Sequence, residues 1–193
     1  MATVAGSMMR INWVLAADFE APSDLSSDSL KTVGPTWGSH KTWRSLGTDN
    51  VGCHDLERAR QLIDRAFQAV CNFYLPKKFY VDLGRPIGVK LYEGDFEPEV
   101  KDIEDIVCLH LAAKTSDLVL LMGFDFSLSE TVTDRLKLHQ MRHRHGLMRS
   151  VIVNNPEVQW VLLNDDGSKI DKSYQDITNL TCDTLQNALK LLV

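Results

Sequence analysis

Nothing in this sequence approaches the ~20 consecutive apolar residues that a membrane-spanning helix needs. The longest such run is Leu118–Met122 with its neighbours. The first twenty residues carry one cation, Arg10, and no apolar block of signal-peptide length before Asp18-Phe19-Glu20. No export signal is read there, and a cytoplasmic location is expected. Cysteine is scarce: Cys53, Cys71, Cys108 and Cys182 stand far apart with no Cys-x-x-Cys pair. That argues against a zinc ribbon and a thioredoxin-type site. Cys71, Cys108 and Cys182 fall in or beside apolar periodic segments, where a thiol serves as a small buried hydrophobe. Gly-x-Gly-x-x-Gly is absent, which disfavours a dinucleotide site of the usual kind. Without Gly-x-Ser-x-Gly there is no nucleophile elbow for a Ser–His–Asp hydrolase. No internal repeat is visible. Positive charge is not in excess either: the net charge is −5 and the pI about 5.6. Bulk electrostatics therefore recruit neither nucleic acid nor an anionic membrane.

What is present is ordinary core material. With 44% hydrophobic, 24% charged and 8% aromatic residues, the chain belongs to the soluble globular class. Its 193 residues suit one domain, 1–193, with enough apolar surface for a full core. Residues 1–9 read as a loose leader, with Met8 or Met9 as an alternative start.

Ile11–Ala17 reads as a buried strand. Residues 18–50 are rich in Ser, Asp and Gly and lack clear periodicity, so they are expected to form a long functional loop. Asp55 can cap a helix running to about Phe73, where Leu56, Ala59, Ile63, Ala66, Phe67, Val70 and Tyr74 keep the 3.6-residue period and Pro76 closes it. Phe79–Leu83 and Val89–Tyr92 are strand candidates around a Gly84-Arg85-Pro86 turn. Pro98 suits the first turn of a helix with Val100, Ile103, Val107, His110 and Leu111 inward. Asp117–Phe126 is the strongest segment, a continuous apolar run of the kind found in central parallel strands. A helix follows from about Thr133 to Asn154, then a strand over Val158–Leu163, a short strand near Ile177–Leu180 and a closing helix over Asp183–Leu192. Strands alternating with helices predict an α/β, Rossmann-like three-layer sandwich with a mostly parallel central sheet. In such sheets ligands bind outside the carboxyl ends of the strands.

That rule directs attention to four places. The first is Gly34–Arg44, which packs glycines, hydroxyls, three potential cations and two tryptophans into one short stretch. Gly38, Ser39 and Thr42 can offer donors to a phosphate, His40, Lys41 and Arg44 supply charge, and Trp37 or Trp43 can stack on a base. The spacing is not a Walker motif, and the alternative is a surface loop pinned to the core by its tryptophans. The second is Gly123-Phe124-Asp125, where Gly123 permits close backbone approach. Asp125 there can accept a sugar hydroxyl or act as a base, or else cap a turn.

The third is the helix over 133–154. Leu138, Met141, His145, Met148 and Ile152 form its core stripe, with His145 as a hydrogen-bonded core histidine. Arg135, His139, Arg142, Gly146 and Arg149 form an adjoining basic arc that either meets an anion or faces solvent. His139 and His143 are spaced for metal chelation but lack an acidic partner. The fourth, Asp165-Asp166-Gly167, has the composition of a turn as much as of an ion site.

The buried strand closing in Gly123-Phe124-Asp125, with the helix and strand after it, gives residues 116–164 a resemblance to a known group. It resembles the Rossmann-like domains of the 6-hydroxymethylpterin diphosphokinase-like and flagellin-modifying glycosyltransferases, which are similar to bacterial sialyltransferases. The resemblance covers about a quarter of the chain. It implies a nucleotide or sugar-nucleotide ligand and a role for Asp125.

The resulting expectation is a protein binding a small phosphorylated, nucleotide-type ligand, with Mg²⁺ or Mn²⁺ as companion ion. If it is an enzyme, it is a glycosyl- or phosphoryl-group transferase. Asp125 and His139 are the catalytic candidates, with Gly38, Ser39, His40, Lys41, Trp43, Arg44, Gly123 and Arg142 around the ligand. No nucleic acid or membrane partner is expected, and a homo-oligomer is compatible with this reading. The rival readings are a non-catalytic assembly or regulatory module and a metal-dependent hydrolase using Asp18, Asp125 and Asp165.

Overall fold

The computed structural model describes residues 9–17, 19–20, 25–93, 103–124, 134–164, 170 and 172–191. Its strands are β1 Ile11–Leu15, β2 Thr36–Gly38, β3 Asn50–Gly52, β4 Asn72–Pro76, β5 Lys90–Tyr92, β6 Leu118–Met122, β7 Gln159–Leu163 and β8 Leu180–Asp183. The helices among the described residues are α1 Ser27–Lys31, α2 His40–Leu46, α3 Leu56–Asp64, α4 Lys77–Asp82, α5 Glu104–Ala113, α6 Arg135–Val153 and α7 Leu185–Leu191. The eight strands among the described residues join one parallel sheet in the order β5-β4-β3-β2-β1-β6-β7-β8.

Side-chain alternation explains why the sheet is covered on both sides. Trp13 and Leu15 of β1 join Leu120 and Met122 of β6 beneath Leu30 of α1, Leu46 of α2 and Ala188 of α7. Val14 and Ala16 face the other way, with Val119 and Leu121, toward α5 and α6. Strands buried on two faces read as unbroken apolar runs. The chain steps outward from β1 to β5, returns through α5 to place β6 beside β1, and steps outward again to β8. Right-handed crossovers send helices to opposite faces when the direction reverses. The result is the doubly wound, Rossmann-like α/β sandwich that the alternation predicts.

Helix α5 lies deepest. Residues 104–109 and 111–113 are buried, and Gly52 lets the helix close on β3. A Cβ at Gly52 would stand 3.1 Å from both Cys108 Sγ and Val107 Cγ1. The Cys108 thiol donates to the Gly38 carbonyl at 3.2 Å, and burial pushes its titration upward. Burial likewise raises Cys53 and Cys71 to about 12, so these thiols stay protonated at neutral pH. Cys71 and Cys182 are half-buried rather than buried. Among the described residues no helix is long and apolar enough to cross a membrane.

Several local expectations are corrected. The described part of 18–50 is no loop: it holds α1, β2, α2 and the start of β3. Elements of three to seven residues are too short to register a periodicity. The helix expected to reach Phe73 ends at Asp64, because Ala66 adopts a left-handed φ of 54°. A 3₁₀ turn follows, and residues 72–76 form β4, with Phe73 and Leu75 on one face. Phe79–Leu83 belongs largely to α4, where Phe79 is buried while Val81 faces solvent. Gly84 and Arg85 both take positive φ in the expected turn. The last strand sits a few residues later than Ile177–Leu180, pairing Trp160 with Leu180 and Leu163 with Asp183. Asp18, Pro98, Val100, Asp125, Asp165, Asp166 and Gly167 lie outside the described residues.

Candidate functional site

The strand order reverses between β1 and β6, so the crevice for a ligand should open beyond their carboxyl ends. The chain itself enters that crevice. Ala16 N–H donates to the Met122 carbonyl at 3.0 Å, and Phe19 N–H to the Ala16 carbonyl at 3.1 Å, folding the segment after β1 across the end of β6. Gly123 has φ +76°, and a Cβ there would stand 2.6 Å from the Phe19 ring. The close approach that Gly123 permits is thus made by Phe19.

The polar groups gather one step along the edge, beyond β2 and β3. Ser39 follows β2 and caps α2: its Oγ accepts the N–H of Lys41 at 3.1 Å and of Thr42 at 3.4 Å. Gly38 is needed because a Cβ would come within 2.1 Å of Thr42 Oγ1. The cap places His40 in the first turn of α2, with Lys41 beside it and Arg44 one turn on. After β3, Asp55 caps α3 by accepting Arg58 N–H at 2.8 Å, which brings Arg58 to the same edge. His40 Nδ1 is buried and has no hydrogen-bond partner. Burial first, then the charges of Arg58, Arg44 and Lys41, hold the imidazole well below its ordinary range, at about 4, so it is neutral at pH 7. Burial disfavours the charged form, and neighbouring cations add to the effect.

The first turn of α5 closes the cluster from the opposite face. Glu104 and Asp105 are both buried there, at the helix end where the dipole favours negative charge. Arg58 Nη1 donates to Glu104 Oε1 at 3.2 Å, and its remaining guanidinium N–H groups have no acceptor among the described residues. Arg44 is exposed and has no carboxylate partner among the described residues. Asp105 accepts Arg144 from α6 and Ala17 N–H at 3.3 Å. Further along, Tyr92 OH and His54 Nδ1 are 2.9 Å apart, with the tyrosine also 3.5 Å from the Cys53 carbonyl. Burial pushes the Tyr92 phenol upward, so it remains protonated. Two arginines with donors to spare, a neutral histidine and a capped helix start make this edge suited to hold an anion.

The tryptophans do not contribute faces to this edge. Trp37 is buried against Tyr74, ring centroids 5.0 Å apart, and Trp43 meets Phe67 edge-on at 4.7 Å. They act as the pins that the alternative reading assigned to them. His139 and Arg142 stand exposed on α6, with no partner among the described residues. Arg149 of the same arc is taken by Asp176, at 2.6 and 2.9 Å. His145 is hydrogen-bonded as expected, 3.0 Å from Tyr174 OH, but it is half-buried rather than in the core, as are Leu138 and Met141 of the expected core stripe. Among the described residues no group of three or more His, Cys, Asp or Glu could hold a metal ion.

Sequence reasoning missed Arg58, His54, Tyr92, Glu104 and Asp105. Arg58 carried a usable signal, lying three residues after the Asp55 cap in a first turn. The others meet only because β3 and β5 flank β4 and α5 packs over the same edge of the sheet. Comparison of the chain with protein-family models, with curated proteins and with solved structures found no match.

Proposed function

We propose that the edge beyond β2 and β3 binds the phosphate of a nucleotide or sugar-nucleotide ligand, and that glycosyl or phosphoryl transfer is the chemistry it serves. One observation carries the reading: Arg44 and Arg58, both with unengaged donors, flank a histidine that burial and positive charge keep neutral. A phosphate entering there satisfies the guanidinium groups and offsets three neighbouring positive charges. Glu104 holds Arg58 in place from behind, so the arginine is preorganised and does not have to be recruited. Positive charge fixed where a leaving or transferred phosphate develops negative charge is what a transferase needs. Asp125 enters as the hydroxyl-binding or basic group only through the resemblance, and Mg²⁺ or Mn²⁺ would arrive with the nucleotide.

The test is thermal unfolding and calorimetric titration against nucleotides, sugar nucleotides, pterins and inorganic phosphate, each with and without Mg²⁺ or Mn²⁺. A ligand present at a hundred times its dissociation constant adds about 2.7 kcal/mol of stability. One ligand class should stabilise the protein selectively, and the Arg44→Ala/Arg58→Ala variant should lose that effect at least about tenfold. Affinity unchanged in the variant would remove the anion role from this edge. A flat panel would favour the non-catalytic module.

A further inference from the structure

We infer that the solvent face of α6 docks the phosphate backbone of a nucleic acid. The sequence of this helix, RLKLHQMRHRHGLMRSVIV, holds five Arg or Lys and three His but no Asp or Glu, in a chain with 26 acidic residues. Two of the five cations are committed to the fold: Arg144 to Asp105, and Arg149 to Asp176 and the Ser173 carbonyl. Arg135, Lys137 and Arg142 are exposed and have no acceptor among the described residues.

Geometry turns these residues into a row. Arg135, His139 and Arg142 share an arc of about 60°, at axial steps of about 6 and about 4.5 Å. Gly146 continues the arc, and nothing lies within 4 Å of the position its Cβ would take. A backbone can therefore approach the helix there. No residue of α6 before Met148 is buried, so the row stands clear of the sheet. Arg144, nine residues after Arg135, reaches the first turn of α5 at the carboxyl edge. The preceding turns extend about 13 Å beyond that contact by helical rise.

The chemistry of the face selects among polyanions. An interfacial membrane helix needs a broad apolar face to insert. Of the apolar residues of α6, Met148, Val151 and Ile152 are spent on the core with Leu147 packed against it, Leu138 and Met141 are half-buried, and the exposed Leu136 and Val153 stand at opposite ends of the helix. A protein interface has an apolar centre depleted in charge. Here, among the described residues, the large exposed hydrophobic near the row is Leu136, about a quarter-turn from Arg135. Nucleic-acid interfaces are polar and strongly positive, and each strand offers a charge every ~3.4 Å along the axis. Guanidinium forks match phosphate oxygens in geometry as well as sign. The chain's net charge of −5 does not oppose this, because acids elsewhere are screened beyond ~8 Å at physiological salt.

The experiment is fluorescence anisotropy with a labelled oligonucleotide, single-stranded and duplex, across a salt series. The protein is compared with Arg135→Ala/Arg142→Ala and with Arg44→Ala/Arg58→Ala. Binding should weaken with salt, and the α6 variant should lose at least about tenfold in affinity and about two in the log–log salt slope on duplex. Its circular dichroism and melting should be unchanged, since both side chains are exposed. No binding at low salt would overturn the inference, as would equal binding by the α6 variant. Loss confined to the Arg44/Arg58 variant would overturn it too, by assigning the anion to the other edge. Capture of phosphatidylserine vesicles or polyglutamate in place of the oligonucleotide would equally refute it.

Discussion

His40 shows how one residue's surroundings set its chemistry. Its neutral form belongs to the folded state, with a folded value of about 4 against an ordinary 6.5. Between those values the unfolded chain binds the proton and the folded chain does not. Stability therefore falls as pH drops from about 6.5 to about 4 and gains nothing further from this residue above that window. Urea unfolding at pH 7.5 and pH 5 should show that loss, and His40→Gln should flatten it. Bound phosphate should also shrink it, because an anion offsets the charges of Arg58, Arg44 and Lys41. A variant that keeps the full pH dependence would assign the effect to another group.

Individual elements owe their positions to caps more than to propensity. Helix α2 has seven residues, too few to stand alone in water. It forms because Ser39 caps its start, while Gly47, at φ 62°, sends its N–H back to the Trp43 carbonyl at 2.7 Å. Ser39→Ala should lower stability by about 1 kcal/mol in chemical denaturation, the usual worth of a buried side-chain cap. No loss would mean that the edge can hold His40 and Arg44 without it. The long elements were legible: β1, β6, β7 and α6 lie within a few residues of their expected places, because apolar runs and 3.6-residue stripes are strong signals. The short ones were not. Residues 72–76 look helical in sequence only because Phe67, Val70 and Tyr74 extend the period of α3, and one left-handed Ala66 breaks it.

Across the whole molecule, stability should be greatest at the centre. β1, β6 and β7 are each paired on both sides, and α5 is buried along nearly its whole length. β5 and β8 are edges, with Leu91 exposed on β5 and Ile87 exposed just before it. Native-state hydrogen exchange should accordingly be slowest for amides of β1, β6, β7 and α5 and clearly faster in β5 and β8. Uniform protection across the sheet would show instead that it opens only as a unit.

By itself the sequence determined the fold class, the central strand and the segment Gly34–Arg44 as a place of concentrated polar residues. These follow from local patterns, in which residues close in the chain share a strand, a helix face or a cap. The tertiary structure decided which of them face one another. Phe19 covers Gly123 because the chain folds back after β1, and Arg58 meets His40 because β3 lies next to β2. Glu104 and Asp105 reach the same edge because the crossover from β5 to β6 starts α5 there. Those encounters depend on strand order and on the direction of a crossover, and both arise from packing between segments far apart in the chain.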